Sequence, residues 1–398
     1  MADAGFAGEL SKSVVAEIAP DVWMLEGYIG DQFFVKHPSS NIYILRDGDS
    51  LVILDTGAHS FYRSRMLKII ERYKKEGVKR VILTLTQGHF DHASNNEVVL
   101  ESGLQWKFLL PEPEVKTINC VTDMIEDLAR LEEYENVYTS MFSWNWPTAV
   151  VRIAEKVSHP IARAIVRRAF GKTMGGIRTL AERADILSLE DRVTQRFGSV
   201  EFEGWQVGRF FLIHDGAHSP GHISLYDPEN KLLLAGDVTI EINPAFFYSS
   251  IDRLIKTSGQ FGVMAKEGYV ELVGDGHRSK TFMPGIFEKY GLNPLHKTQI
   301  ADVARGREEC ASFFGTFHEY YSSLKKEALS AHSRIGDSTV AEIVEELGAS
   351  RSPGVQLKKA MKFPDFPSRM DVLVASVLKE AGVRPRKEGK RIVLSPAE

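Results

Sequence analysis

Two imidazoles and a carboxylate fall within four residues at His89-Phe90-Asp91-His92, directly after an aliphatic run at 80–85 and the break Thr86-Gln87-Gly88. Side chains so close together on a loop cannot all turn into an apolar core. Imidazole nitrogen and carboxylate oxygen are the donors Zn²⁺ prefers, and Fe and Mn accept them too. Taken alone, the segment reads equally as a solvated polar turn. Three further segments narrow the choice. Ser219-Pro220-Gly221-His222 lies between two strand-like runs. Gly236-Asp237 follows the apolar run at 232–235, and Gly274-Asp275-Gly276-His277 follows another at 269–273. A Gly-Asp after a strand is ordinarily a turn, and a single His is ordinarily a satisfied polar residue. Four such sites, all at strand ends, point to side chains that converge.

The intervening pattern is that of a layered α/β protein. Runs at 41–45 and 51–54 are joined by Arg46-Asp47-Gly48-Asp49-Ser50, a hairpin signal. An amphipathic helix is expected over 61–75, with Met66, Ile69, Ile70 and Tyr73 on one side and Gly77 as its stop. A buried strand over 80–85 follows. From about 112 to 199 the pattern turns helical, and Pro160 divides the longer stretch in two. Strands are expected again at 200–206, 209–214, 223–226 and 232–235, so the helical block reads as an insertion into a β-rich core. From about 296 to 398 a mostly helical extension is expected. It holds one or two helices over 298–329, a helix capped by Asp337-Ser338-Thr339 and stopped by Gly348, and another over 370–381. A basic hairpin turning at Glu388-Gly389 ends it.

The order Asp55-Thr56-Gly57, His89-x-Asp91-His92, Pro220-Gly221-His222, Gly236-Asp237 and Gly276-His277 resembles the metallo-β-lactamase superfamily, with a core of the glyoxalase II and lactonase kind. The resemblance runs from about residue 22 to 277 and implies an αββα sandwich carrying two metals at the sheet edges. Position by position, it implies that His89 and His222, with residue 87, hold one ion. Asp91, His92 and His277 hold the other, and Asp237 bridges them. Asp55 is implied as a support beside the site. The catalytic domain is expected over 1–295 and a helical, winged-helix-like domain over 296–398.

One position departs from the family pattern, where Gln87 replaces the usual first histidine. Its amide oxygen is a poorer donor to Zn²⁺ than imidazole. Gln87 as ligand, Gln87 as an outer partner of a weak site, and an empty first site all stay open. The implied ligand set carries its own reaction class. Two divalent cations, Zn first and Fe or Mn as alternatives, generate a metal-bound hydroxide facing a carbonyl or phosphoryl group, oriented by Asp91 and Asp237. No Gly-x-Ser-x-Gly elbow offers a competing nucleophile.

Other residues carry less. His59, just after Asp55-Thr56-Gly57, is a candidate for the substrate pocket. His214 and His218 read as strand-surface residues, and His37, His159, His296, His318 and His332 as structural or exposed. Within the insertion, Trp144 and Trp146 stand beside an apolar stripe flanked by Arg152, Lys156, Arg163 and Arg167. That pattern suits a lid over an apolar substrate with an anionic group, or equally a face packed on the core or on a second copy of the chain.

Composition sets the outer limits. With 398 residues, 43% hydrophobic, 26% charged and a net charge of −4, the chain is an ordinary globular sequence without a global pull toward nucleic acid. The basic tail, including Lys358, Lys359, Arg384, Arg386, Lys387 and Arg391, keeps a nuclease as an alternative, although basic surface turns are common. Two cysteines make no disulfide framework, and the sequence carries neither signal-peptide pattern nor membrane-length apolar run, so a cytoplasmic protein is expected. The expected function is hydrolysis of an ester, thioester or lactone of a small, partly apolar substrate. A metal-binding protein with weak catalysis, following from Gln87, is the remaining alternative.

Overall fold

The computed structural model describes residues 14–27, 39–118, 161, 180–239, 249–277, 303–360, 370–389 and 391–395. Among the described residues two seven-stranded sheets form the centre. The first runs in chain order, β1 (Val15–Ala19), β2 (Val22–Leu25), β3 (Ile42–Asp47), β4 (Ser50–Leu54), β5 (Arg80–Thr84), β6 (Gln105–Pro111) and β7 (Asp185–Leu187). The second pairs β8 (Val193–Phe197), β9 (Val200–Val207), β10 (Phe210–His214), β11 (Ile223–Asp227), β12 (Leu232–Leu234), β13 (Leu272–Gly274) and β14 (Val303–Arg305).

Each sheet passes from an antiparallel meander to parallel pairing, the second returning to antiparallel at β14, and a helix explains each passage to parallel. Parallel neighbours need a crossover rather than a hairpin. The helix α1 (Ser60–Lys75) carries the chain from β4 to its parallel neighbour β5, and α2 (Ile251–Lys266) does so between β12 and β13. In α1 the buried residues Tyr62, Met66, Ile69, Ile70 and Tyr73 recur every three or four positions, so one stripe faces the sheet.

Alternation along the strands builds three apolar layers. Ile42, Ile44, Leu51 and Ile53 join Tyr62, Met66 and Ile70 under α1. Their neighbours Tyr43, Leu45, Val52 and Leu54 face the other sheet, meeting Leu212, Ile223, Leu225 and Leu234. On the far side Phe211, Ile213 and Leu233 pack with Leu254 and Phe261 of α2. Because both faces of both sheets are covered, the central strands are apolar throughout. The expected αββα sandwich is therefore the observed architecture.

The last layer is completed from the C-terminal region. The helix α3 (Arg307–Ile335) places Phe313, Phe314, Phe317 and Tyr321 in the same cluster as Phe261. Strand β14 pairs with β13, so residues beyond 295 finish the second sheet. Three short helices follow, α4 (Val340–Glu346), α5 (Pro353–Ala360) and α6 (Met370–Glu380), with the hairpin β15 (Arg384–Glu388) and β16 (Arg391–Ser395). A capping box between Thr339 and Glu342 starts α4.

Three readings need correction. The helical block expected to 199 gives way earlier, since β7 and β8 lie inside it. Strand β8 is largely exposed at the sheet edge, so its apolar alternation is weak. Within the helical pattern expected over 298–329, residues 303–305 form a strand, with Val303 and Ala304 buried at the sheet edge, and one helix runs from 307. Helix α2, with Gly259 and Gly262 in its middle, had no counterpart in the sequence reading. The expected lid residues Trp144 and Trp146 lie outside the described residues.

Candidate functional site

The polar segments meet where strand ends of the two sheets adjoin. After β5 the chain turns through Thr86, Gln87 and Gly88, and a single helical turn, Phe90–Ala93, follows His89. From the second sheet come the loop between β10 and β11, the turn after β12 and the turn after β13. Asp91, His92 and His277 are buried, and one ligand atom from each lies within 4.8 Å of the others. Asp237 stands among them. Its Oδ2 is 3.2 Å from His92 Nε2 and its Oδ1 3.5 Å from His277 Nε2.

Outer partners fix most of these rings. Asp55, held in the left-handed region at φ 64° at the end of β4, accepts from the Thr86 amide at 2.7 Å and lies 2.9 Å from His92 Nδ1. That contact leaves His92 Nε2 facing Asp237 and Gln87. The Nδ1 of His277 donates to the Ser39 carbonyl at 3.1 Å, which turns its Nε2 inward. Such second contacts are how proteins orient imidazole ligands.

The loop carrying two histidines behaves differently from expectation. His222 is buried, but both ring nitrogens are engaged. Nδ1 lies 2.7 Å from Asp215 Oδ1, and Nε2 accepts the backbone N–H of Asp237 at 2.9 Å. Gly236, at φ 53°, is what permits this approach, because a Cβ there would come within 2.6 Å of His222 Nε2. His218, read from sequence as a strand-surface residue, is 2% exposed and faces the site. Its Nε2 is 3.5 Å from Asp237 Oδ2, its ring packs edge-on against His89 at 5.2 Å, and neither nitrogen has a hydrogen-bond partner among the described residues.

Gln87 is fully buried at the centre. Its Nε2 donates to Asp237 Oδ2 at 2.5 Å and lies 2.7 Å from His92 Nε2, while Oε1 has no hydrogen-bond partner among the described residues. The amide thus lends a partial positive charge to the Asp237 carboxylate. His59 caps α1 by position, with its ring beside Phe61 and Tyr62 and its carbonyl accepting from Asn95.

Charge is concentrated here among buried side chains. Burial pulls the His92 and His277 imidazoliums down, yet the surrounding carboxylates outweigh it. Asp237, Asp55 and Asp91 hold His92 well above the ordinary range, and Asp237 and Asp91 push His277 up to about 10. Burial likewise opposes ionisation of Asp237, but His92, His277 and His218 keep it well below the usual carboxylate range. His218 goes the other way, burial pushing it well below. The arrangement is a set of carboxylates and imidazoles that balance one another.

Two residues that sequence reasoning missed hold the loops in place. Asp215 grips His222 and the Ser224 hydroxyl, at 2.7 and 2.9 Å. A carboxylate beside glycine at a strand end, the signal that singled out Asp237, also marks Asp215-Gly216. Glu114 is fully buried and accepts from the Gly88 amide at 2.6 Å, the Ser219 hydroxyl at 2.6 Å and the Gly221 amide at 2.8 Å. It ties the loop of the first sheet to that of the second. Nothing near Pro113-Glu114 in the sequence signals this.

The site fits cations on the character of its donors. Buried polar atoms, the Gln87 Oε1 and the His218 nitrogens, lie beside the carboxylate of Asp237 and lack hydrogen-bond partners among the described residues. Such buried groups are costly unless something satisfies them.

Comparison with known proteins bears on the family and the fold. A sequence model described as the metallo-β-lactamase superfamily matches residues 36–103 and 145–289. The human acyl-coenzyme A thioesterase MBLAC2 is 25% identical over 279 residues, covering 68% of this chain and 81% of that protein. Its bovine counterpart is 23% identical over 278 residues, with the same coverage. Among solved structures, a β-lactamase domain protein from Burkholderia ambifaria superposes with a TM-score of 0.54 at 13% identity, covering 96% of this chain and 92% of that one. A double mutant of the sec-alkyl sulfatase PisA1 gives a TM-score of 0.54 at 14% identity over 95% of this chain, which spans about half, 51%, of the sulfatase.

Proposed function

This chain belongs to the metallo-β-lactamase superfamily and is a hydrolase of that superfamily, and from that premise we propose that it cleaves thioesters of small, partly apolar acyl groups. The observation that carries the reading is the convergence of Asp91, His92, His277, Asp237 and His218, all buried, around one polar centre. Thioesters are favoured over other esters and lactones by the relatives named as acyl-coenzyme A thioesterases.

In this reading His89, His218 and Gln87 would hold one divalent ion and Asp91, His92 and His277 a second, with Asp237, close to His92, His218 and His277, available to both. His218 replaces His222 in the expected set. A ring with both nitrogens engaged by Asp215 and the Asp237 amide has no lone pair to offer, and the His218 ring does. His222 instead braces the turn after β12. Zinc is the first choice, with iron or manganese next, and two such ions supply a Lewis acid and a water of lowered pKa. Asp91 and Asp237, held ionised by their histidine neighbours, would bind the ions and orient an attacking water. Asp55 keeps the His92 Nε2 turned toward the centre. Residues 1–295 carry the chemistry, and 296–398 are joined to them through β14 and α3.

The test is release of free thiol from a panel of acyl-coenzyme A thioesters, set beside matched esters and lactones. Turnover is expected to vanish on chelation, to return with zinc, and to favour thioesters. Full turnover by a thoroughly demetallated sample would overturn the metal reading, and faster lactone cleavage would overturn the substrate reading.

A further inference from the structure

We infer that Glu380, in the last turn of α6, is a positioning residue for His218, so that the C-terminal region sets the geometry of the site through the first residues of α2. The inference rests on the reading of His218 as a metal ligand.

His218 lacks what the neighbouring histidines have. His92 is steered by Asp55, His222 by Asp215 and His277 by the Ser39 carbonyl, each through a ring nitrogen. No hydrogen bond steers the His218 ring among the described residues, so its placement rests on ring packing against His89 and on where its backbone is held. Three consecutive carbonyls of that backbone are all held from one short segment. The Ser249 hydroxyl donates to the His218 carbonyl at 2.8 Å, the Ser250 amide to the Ala217 carbonyl at 2.8 Å, and Arg253 to the Gly216 carbonyl at 3.1 Å. The amides of residues 216 and 217 are held within the loop, by the His222 carbonyl and Asp215, so residues 249–253 are the loop's link to α2.

The start of α2 is in turn held by Glu380. One carboxylate oxygen accepts the Ile251 amide at 2.7 Å, and the other accepts the Ser250 hydroxyl. A carboxylate at a helix N-terminus satisfies amides that have no intrahelical partner, and the helix dipole favours its charge there. Here the two satisfied donors are adjacent to those that grip the His218 loop. A chain of hydrogen bonds thus runs from α6 to the backbone of His218. It passes through no other residue of the site.

The experiment uses zinc-loaded full-length protein and two readouts, zinc affinity by chelator competition and amide hydrogen exchange. Groups that orient a metal ligand typically contribute ~10–100-fold in affinity. Glu380→Ala is expected to weaken zinc about tenfold, toward the lower end of that range, and to speed exchange at residues 216–219 while β3 to β5 stay unchanged. Glu380→Gln, which keeps an acceptor oxygen, should recover most of both. Ser249→Ala removes a single hydroxyl and should reproduce the local exchange effect even if Glu380→Ala folds poorly. Unchanged zinc affinity and exchange in Ser249→Ala and Glu380→Ala, or acceleration spread evenly over the whole protein in both, would overturn the inference. His218→Ala separates the two levels. Unaltered zinc binding in that variant would sink the ligand reading, while exchange at 216–219 would still report on the coupling to Glu380.

Discussion

The two histidine-bearing loops of the site use the same residue type in opposite ways. After β5, the histidines His89 and His92 flank Asp91 within four residues, and the loop is all site. Between β10 and β11, His218 and His222 also stand four apart, but one ring faces the centre and the other is spent on Asp215 and a backbone amide. The lesson is that a motif identifies a loop, whereas the atoms each ring meets tell which ring faces the centre and which one faces a backbone amide.

The largest expected effect tests what the loops share. Asp237→Ala removes the carboxylate facing both loops and should lower thiol release by at least about 100-fold, since even outer partners of metal ligands cost 10–100-fold; activity near wild type would break the picture of a common centre. Next comes the contrast itself. His222→Ala leaves Asp215 buried without its partner and should cost ~3 kcal/mol of stability by chemical denaturation. His218→Ala should strip metal, read by elemental analysis, while changing the stability of the metal-free protein by less than ~1 kcal/mol. The reverse pattern would restore His222 as the ligand. Glu114→Gln loosens the clamp between the loops and should destabilise by ~2 kcal/mol, the scale of hydrogen bonds to a charged acceptor; an unshifted denaturation midpoint would argue that the loops are independent.

Smaller effects sharpen the first loop. Gln87→His substitutes an imidazole for an amide at its start and should raise bound metal per chain, with unchanged content counting against Gln87 as a ligand. Outside the site, burial pushes the Cys310 thiol up to about 12. It therefore stays protonated at pH 8 and should resist alkylation in the folded protein, as read by peptide mass spectrometry; ready labelling would contradict its burial.

Much of this was legible because strand and helix periods report burial directly. The hairpin of β3 and β4, helix α1 and strands β9 to β12 followed from alternation and turn residues, and a layered α/β protein with them, while the αββα sandwich itself was implied by the family resemblance. Edge elements were not, because β7 and β8 are half exposed and carry little apolar signal. Helix α2 escaped because small polar residues such as Ser258 and Gly259 interrupt its apolar stripe. Yet Leu254, Phe261 and Met264 fix it against the second sheet.

From the sequence alone came the order of polar segments at strand ends, and with it the fold, the candidate donors and the odd glutamine. Those features are local, set by residue type and spacing along the chain. Only the tertiary structure decided that His218 faces the centre, that Glu114 and Asp215 hold the loops, and that Glu380 reaches the start of α2. Each of these depends on which hydrogen-bond partner a buried atom meets across more than one element, and such partners are distant in sequence and invisible to periodicity.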